Sequence, residues 1–243
     1  LIAGGFVLPY STASSAELFD GERVIFLPHR MSAPRELHTA TLLPDGRVLI
    51  AGGFVGGVTS LPVCDLYEPD RRRFVRTGDL AESRFGHTAS LLPDGRVLLT
   101  GGMQFPGECT LRSAEVYDPE AGQLATAGAM AEERARHTAT VLHDGRVLIT
   151  GGNSIVAGAQ LASTEIYDPA TGRFEPGPAM SEPRMDHTAT LLQDGRVLIA
   201  GGFNGVGEPH TLSSCEVYDP ATGEFADAEP LPQHRFGLNI LTL

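Results

Sequence analysis

The sequence has no tryptophan and only three cysteines, and it lacks long apolar runs. The cysteines, Cys64, Cys109 and Cys215, are too few and too scattered for a disulfide framework, and none has the C-x-x-C spacing of a zinc site. We interpret them as free thiols in a reducing compartment. No apolar run approaches the roughly 20 residues that span a bilayer, and no signal-like segment opens the chain. We expect a cytoplasmic protein without a membrane partner.

Basic residues are also scarce, since 30 Asp and Glu oppose 18 Lys and Arg and give a formal net charge of −12. Phosphate backbones attract proteins that carry a surplus of positive charge, so this balance argues against nucleic acid as a partner. What is abundant is apolar and turn-forming residues: 42% of the 243 residues are hydrophobic, with 29 glycines and 17 prolines. The chain is long enough to bury a core, and it is predicted to be globular and rich in turns.

One phrase of sixteen residues recurs along the chain. It occurs at His38–Gly53, His87–Gly102, His137–Gly152 and His187–Gly202, and each copy ends in a glycine doublet. A fifth doublet at Gly4-Gly5 completes a series with spacings of 48 to 50 residues. Self-similarity at this period predicts five structural repeats.

Each repeat is predicted to form a small antiparallel sheet. The stretch H-T-A-T-L-L alternates apolar and polar residues, P-D-G is a tight turn, and R-V-L-I-A-G-G is a second strand, which together indicate a β-hairpin. A loop follows, then a third strand such as Ser163–Pro169 and a short fourth strand around Phe174. Four strands cannot bury both of their faces alone, so we expect the sheets to stack face to face around an axis.

The two ends of the chain complement each other. Arg235–Leu243 aligns with Arg84–Leu92 and is a first strand without a second, whereas Leu1–Gly5 is a second strand without a first. We expect Leu238–Leu243 to pair with Leu1–Gly5. This pairing would close the sheets into a ring and remove the open edges that invite aggregation.

These features resemble the kelch repeat family along essentially the whole chain. The resemblance depends on the glycine doublets, on segments of the type E-V-Y-D-P-x-T-G-x-F, such as Glu165–Phe174 and Glu216–Phe225, and on R-x-x-H openings. It implies an all-β fold, namely a five-bladed kelch-type β-propeller in which the C-terminal strand pairs with the N-terminal strand. The whole chain, residues 1–243, would be one domain, with units opening near residues 35, 84, 134, 184 and 235 and the last completed by residues 1–34.

The chain departs from the kelch pattern in two respects. Kelch units commonly carry a tryptophan on the fourth strand, and here that position holds Phe74, Leu124, Phe174 or Phe225. The first unit is degenerate, because Glu17–Phe26 replaces the usual phrase.

Residues present in every unit are interpreted as framework. We expect the four repeated histidines to pack between blades, with a ring of metal ligands as the alternative. The arginines are expected to form buried ion pairs with third-strand acids, with an anion-binding ring as the alternative. The tyrosines, replaced by Phe19 in the first unit, are expected in the core. These sets are His38, His87, His137 and His187; Arg35, Arg84, Arg134, Arg184 and Arg235; Glu17, Asp65, Glu115, Glu165 and Glu216; and Tyr67, Tyr117, Tyr167 and Tyr218.

Function is expected where the units differ. Strand direction places the loops after the doublets and the interior of each R-x-x-H segment on one rim, and the P-D-G turns on the opposite rim. The resemblance implies that peptide ligands bind the former rim. Its apolar residues are Phe6, Leu37, Phe54, Phe85, Met103, Met185, Phe203 and Phe236, and its polar ones are Tyr10, Glu36, Glu108, Cys109, Arg136, Asn153, Asp186 and His210. An apolar concavity with a few polar groups is a candidate binding site.

Two classes of function remain open. The first is a recognition module that binds a peptide, a protein or an apolar small molecule. The second is a cyclase, isomerase or lyase that acts on a hydrophobic small molecule in the same rim, with Asp186 and His210 as an acid/base pair and Tyr10 or Glu108 as a further proton-transfer group. No hydrolase, nucleotide-binding or zinc-protease motif is present, so we expect no metal and no cofactor. We expect a monomer.

Overall fold

The computed structural model describes residues 1–7, 11–205 and 210–237. Within these ranges the regular elements are β-strands, apart from one short 3-10 helix at Pro69–Arg71. No helix in them is long and apolar enough to cross a membrane. The all-β prediction is confirmed. Leu238–Leu243, the predicted closing strand, lies outside the described residues.

The strands of the first half of the chain are short. They are β1 (Ile2–Ala3), β2 (Phe6–Val7), β3 (Ser11–Thr12), β4 (Ala16–Phe19), β5 (Val24–Phe26), β6 (Thr39–Leu42), β7 (Val48–Ala51), β8 (Phe54–Val55), β9 (Thr59–Ser60), β10 (Cys64–Glu68), β11 (Arg73–Arg76), β12 (Thr88–Leu91), β13 (Val97–Thr100), β14 (Met103–Gln104), β15 (Cys109–Thr110), β16 (Ser113–Asp118) and β17 (Gln123–Ala129). The second half repeats the pattern with β18 (Thr138–Val141), β19 (Val147–Thr150), β20 (Asn153–Ser154), β21 (Ala159–Gln160), β22 (Thr164–Asp168), β23 (Arg173–Pro176), β24 (Thr188–Leu191), β25 (Val197–Ala200), β26 (Cys215–Asp219) and β27 (Glu224–Ala228).

These strands form antiparallel sheets of one plan. Four sheets have four strands each, in the orders β6-β7-β10-β11, β12-β13-β16-β17, β18-β19-β22-β23 and β24-β25-β26-β27. The first repeat forms a three-stranded sheet in the order β1-β4-β5. The predicted repeat of four strands is therefore present, and the remaining prediction, of five blades in a closed ring, stays a prediction.

The loops after the doublets are more regular than expected. Each of four loops contains a two-stranded hairpin, β2-β3, β8-β9, β14-β15 or β20-β21, where the sequence indicated only a loop. In β8-β9, for example, Phe54 pairs with Ser60 and Val55 pairs with Thr59. Strands of two residues are too short to show alternation, so this pairing leaves no periodic signal in the sequence.

The predicted P-D-G hairpin is held by its own side chains. Thr39 lies opposite Ala51 and Leu42 opposite Val48, so the register matches the repeated phrase. At the turn, the Asp45 carboxylate accepts the Arg47 backbone N–H at 3.0 Å and Arg47 Nε at 2.7 Å. Aspartate favours such turns because its short side chain reaches the backbone two residues on.

The described residues divide into two compact units. Unit 1 comprises the described residues of Leu1–Leu99, Met103–Cys109 and Glu115–Thr126, and unit 2 comprises Thr100–Gly102, Thr110–Ala114 and the described residues from Ala127 onward. In unit 1, one apolar cluster joins Ala16 and Leu27 to Tyr67, and a larger one contains Leu49, Leu66, Leu99 and Tyr117. In unit 2, Leu142, Leu148 and Met180 pack against Val197, Ile199 and Tyr218.

The consensus tyrosines are core residues, as predicted. Their exposed fractions are 3% or less, and the fourth-strand phenylalanines that replace tryptophan pack on three of them with ring centroids 4.8 to 5.2 Å apart. The prediction for Phe19 is wrong, because its side chain is 60% exposed. In unit 1 the sheet β1-β4-β5 is the first, so no preceding sheet of that unit covers the face that Phe19 occupies.

The first glycine of each doublet lies against the next R-x-x-H segment. A Cβ built on Gly52 would lie 2.5 Å from the Arg84 carbonyl oxygen and 2.9 Å from His87 Cε1, and Gly52 also has a φ of +61°. The corresponding glycines Gly4, Gly101 and Gly151 approach the following arginine and histidine in the same way. The doublet is therefore a packing requirement as well as a conformational one.

We predict that Gly52→Ala destabilises the protein by about 3 kcal/mol or more, because a methyl group there adds a clash with backbone to left-handed strain. Gly172→Ala is the matched control, since Gly172 has a φ of +67° and nothing lies within 4 Å of the position that its methyl group would take. It carries only the strain, about 1 kcal/mol. Urea unfolding of both variants measures the difference. Equal losses would show that the close approach at Gly52 has no energetic weight.

Candidate functional site

The repeated arginines form buried ion pairs with the third-strand acids, as predicted. The four arginines have no exposed surface, and their carboxylate partners are almost as deeply buried. The nitrogen–oxygen distances are 2.7 Å for Arg35–Asp65, 2.9 Å for Arg84–Glu115, 3.1 Å for Arg134–Glu165 and 2.7 Å for Arg184–Glu216.

Each ion pair also holds backbone groups. Arg184 Nη1 donates to the carbonyls of Gly201 and Ser214 at 2.8 and 3.2 Å, and Glu216 accepts the Ser181 backbone N–H at 2.8 Å. The guanidinium donors thus face acceptors of the protein itself, which favours the framework interpretation over an anion-binding ring. The expectation for Arg235 is wrong: its side chain is exposed, and its guanidinium contacts Gln233 at 3.5 Å. Its repeat continues into residues outside the described ranges.

The repeated histidines pack between consecutive repeats. His87 Nε2 shares a hydrogen bond with Thr39 Oγ1 of the preceding repeat at 3.0 Å, and His187 Nε2 lies 3.0 Å from Thr138 Oγ1 and 2.9 Å from Thr150 Oγ1. Burial, reinforced by the neighbouring arginine, lowers the pKa of His87 and of His187 to about 3. The packing prediction is confirmed, and both rings are neutral at physiological pH.

Unit 1 places several predicted rim residues in one aromatic patch. Phe54 stacks on Phe85 with ring centroids 4.6 Å apart, and the edge of Phe105 contacts Phe54 at 5.8 Å. Met103 joins them because its backbone pairs with that of Phe85. We call these four residues the aromatic patch. Phe54, Met103 and Phe105 are half-buried, whereas Phe85 is almost fully buried.

Phe105 is a member of the patch that was not predicted from the sequence. The predicted rim comprised only residues directly after the doublets or inside the R-x-x-H segments, and Phe105 lies in the connection between β14 and β15. The signal was an aromatic residue followed by proline in a loop, because Phe105 precedes Pro106. The Phe105 carbonyl accepts the Ser60 backbone N–H at 2.9 Å, so two neighbouring loop hairpins of unit 1 are joined beside the patch.

The other predicted residues of unit 1 that the structure describes are half-buried or exposed. Leu37 follows Glu36, whose backbone pairs with that of Phe54, and the Leu37 side chain is 52% exposed. Phe6 is 53% exposed in β2. Glu108 is exposed at a φ of +43°, and Cys109 Sγ lies 3.5 Å from Gln104 Oε1. Tyr10 lies outside the described residues.

Unit 2 carries a polar arrangement. Arg136 Nη1 and Asp186 Oδ2 form an ion pair at 3.2 Å, with 44% and 30% of their side chains exposed. Asn153 pairs through its backbone with Ala135, the neighbour of Arg136. Met185 pairs in the same way with Phe203, whose ring lies 5.7 Å from that of His210. Phe236 is exposed. Asp186, which was predicted from the sequence as one member of an acid/base pair, thus forms an ion pair with an arginine.

Comparison with known proteins identifies the repeat. Residues 186–232 match the family model described as Kelch motif. Residues 186–232 therefore carry a kelch motif. Among solved structures, this chain is similar to the one titled "Structure of YjhT", with a TM-score of 0.74 and 15% identity over 96% of this chain and 84% of that chain. A search of curated proteins finds no match. The resemblance stated from the sequence is confirmed, and at this identity the structural likeness concerns the fold alone.

We predict that the protein loses stability as the pH falls from 6.5 toward 3. The unfolded chain binds a proton at His187 near pH 6.5, whereas the folded chain does so only near its lowered pKa of about 3. Each pH unit in this window costs about 1.4 kcal/mol per histidine. Urea unfolding at pH 7 and pH 5 should therefore show a loss that is about 2 kcal/mol smaller in His187→Gln than in the unmodified protein.

His143→Gln is the control for this measurement, because His143 lies exposed in a P-D-G-type turn. It should keep the pH dependence of the unmodified protein. An equal loss in all three proteins would contradict the interpretation of His187 as a buried neutral base.

Proposed function

We propose that this protein is a non-catalytic recognition module that binds a polypeptide partner through the aromatic patch of unit 1. The observation that carries the proposal is the stack of Phe54 on the buried Phe85, because Phe54 belongs to a loop hairpin outside the four-stranded sheets and is only half-buried. Aromatic side chains left partly exposed contribute less to the core than buried ones do. They are the anchors most often found at the centres of protein interfaces.

The surroundings of the patch support binding as well. Leu37 is exposed although its backbone has a φ of +52°, a conformation that glycine adopts without strain. At the corresponding position of the next repeat the residue is Gly86, with a φ of +60°. The fold therefore accepts glycine here, and a leucine that is both strained and exposed is better explained by contact with a ligand.

The patch is also rigid. The hairpins β8-β9 and β14-β15 contact each other through Ser60 and Phe105, and Ser60 Oγ further shares a hydrogen bond with Ser83 Oγ at 2.7 Å. A surface fixed before binding loses little conformational entropy when its partner arrives. This arrangement suits a surface that selects one partner by shape.

We also propose that the five repeats form five blades, closed by pairing of the C-terminal and N-terminal strands. The support is the count of five doublets and the complementary strands at the two ends of the chain. Closure would make each loop hairpin part of one rigid frame.

An enzyme acting on an apolar small molecule is the alternative. Asp186 is held by Arg136 in unit 2, and Glu108 lies exposed in unit 1. Neither arrangement resembles an acid/base pair poised at a substrate. A ligand recovered in chemically altered form would support this alternative.

The proposal is tested with a phage-displayed library of linear dodecapeptides selected on the immobilised protein. We predict that enriched peptides carry an aromatic or large aliphatic anchor, and that Phe54→Ala weakens their binding by about tenfold or more because it removes a central aromatic contact. Titration by isothermal calorimetry measures the affinities. Circular dichroism and urea unfolding verify that the variant remains folded.

The matched control is Phe26→Ala, which removes an exposed phenylalanine from β5 in the same unit. It should leave peptide affinity unchanged. If peptides bind Phe54→Ala and Phe26→Ala equally well, recognition takes place elsewhere on the molecule and the proposal is wrong.

A further inference from the structure

One backbone position of the R-x-x-H segment is left-handed in every repeat. The third residue of the segment is Leu37, Gly86, Arg136, Asp186 or Gly237, and its φ lies between +51° and +61° in all five. The framework requires this conformation, because a backbone hydrogen bond links the residue at this position in one repeat to the residue at the same position in the next repeat. In unit 2 the Asp186 N–H donates to the Arg136 carbonyl at 3.1 Å, and the Gly237 N–H donates to the Asp186 carbonyl at 2.9 Å.

The framework does not require a side chain at this position. Two of the five repeats have glycine there, and glycine adopts a left-handed φ without the strain that a Cβ introduces. Arginine has no particular tolerance for this conformation, unlike aspartate or asparagine. The protein would therefore be more stable with glycine than with arginine at position 136. Residues held under such strain cluster at functional sites.

Unit 2 has charged residues at two consecutive copies of this position. The backbone hydrogen bond between the two residues brings their side chains together, so that Arg136 Nη1 meets Asp186 Oδ2 at 3.2 Å. Both side chains remain partly exposed. A partly exposed ion pair adds little to stability, so the pair does not explain why the strain is tolerated.

The charges of this pair favour a neutral polar ligand over an ion. Asp186 neutralises Arg136 locally, and the protein as a whole carries a formal net charge of −12, so an anion gains no long-range attraction. The pair instead offers N–H donors on the guanidinium beside acceptor oxygens on the carboxylate. A secondary amide has the complementary groups, one carbonyl acceptor and one N–H donor.

The neighbourhood contains further groups of matching chemistry. Asn153 is paired through its backbone with Ala135, and its buried Oδ1 has no hydrogen-bond partner among the described residues. Buried polar atoms of this kind call for a partner. On the other side, Met185 precedes Asp186 in the chain and pairs with Phe203, which supplies apolar surface.

We propose that Arg136 and Asp186 form an amide-binding subsite that takes a backbone amide of a polypeptide ligand, with Arg136 donating to the amide carbonyl and Asp186 accepting the amide N–H. The inference rests on the proposed recognition function and adds to it the chemistry of one contact. It assigns a polar binding position to unit 2 alone.

The probe is N-acetyl-leucine N′-methylamide, which contains two secondary amides and one apolar side chain. Its binding to the full chain is followed by saturation-transfer difference NMR. Two relatives of the probe that lack any secondary amide test the ligand class: methyl 2-acetoxy-4-methylpentanoate has esters in place of both amides, and 2-acetoxy-4-methylpentanoate has an ester and a carboxylate. We expect the amide to bind at least about fivefold more tightly than either relative.

The decisive variant is Arg136→Gly, which removes the guanidinium and relieves the backbone strain together. We expect probe binding to fall by about tenfold, because hydrogen bonds from a charged donor are lost. The urea midpoint should stay the same or rise, because glycine fits the left-handed position. A fall in the midpoint would show that Arg136 is retained for stability and would overturn the proposal.

Arg72→Gly is the matched control. Arg72 is an exposed arginine with a φ of +49° in the turn before β11, where the corresponding residues of later repeats are Gly122, Gly172 and Gly223. This variant should raise the urea midpoint through the same relief of strain and leave probe binding unchanged.

Equal probe binding by Arg136→Gly and the unmodified protein would overturn the subsite, as would preference for the ester or the carboxylate. Failure of this subsite is distinguishable from failure of the proposed function. The dodecapeptide selection depends on Phe54 in unit 1, whereas the amide probe depends on Arg136 in unit 2, so either result can stand without the other.

Discussion

Four of the five repeats are organised around one buried arginine. Its guanidinium reaches a third-strand carboxylate, the carbonyl of the first doublet glycine and the carbonyl of the residue before the third strand, so one side chain fixes the entering segment, the glycine doublet and the third strand together. Removing one partner of such a pair would leave an uncompensated buried charge, at a cost of about 3–5 kcal/mol. The pair is thus less a source of net stability than a condition on the geometry of the repeat.

The glycine doublet and the histidine depend on this geometry. Because the arginine fixes the R-x-x-H segment, its own carbonyl and the histidine imidazole of the same segment press against the first glycine of the preceding doublet. The same imidazole reaches a threonine on the preceding repeat. Burial then lowers the histidine pKa and keeps the ring neutral. The sixteen-residue segment is repeated almost unchanged because the same packing is required in each repeat.

The framework also produces the candidate binding surfaces. It imposes a left-handed backbone at the third position of every R-x-x-H segment, and it leaves the residue identity there open. Leucine at one copy and an arginine–aspartate pair at two others give units 1 and 2 different chemistry on the same scaffold. A repeat protein can in this way vary recognition without altering the packing that its repeats share.

The sequence by itself determined the repeat, its strands, its turns and its buried pairs, because each of these is a local pattern or a residue that recurs at a fixed spacing. It also selected Phe54, Phe85 and Met103 as rim residues. Only the tertiary structure decided that Phe105 joins them, that Asp186 faces Arg136, and that Phe19 is exposed. These contacts join residues far apart in the chain, and they depend on which loop hairpins and sheet faces meet. Hydrophobic periodicity does not predict these contacts, since it shows which face of a strand is apolar but not which element covers that face.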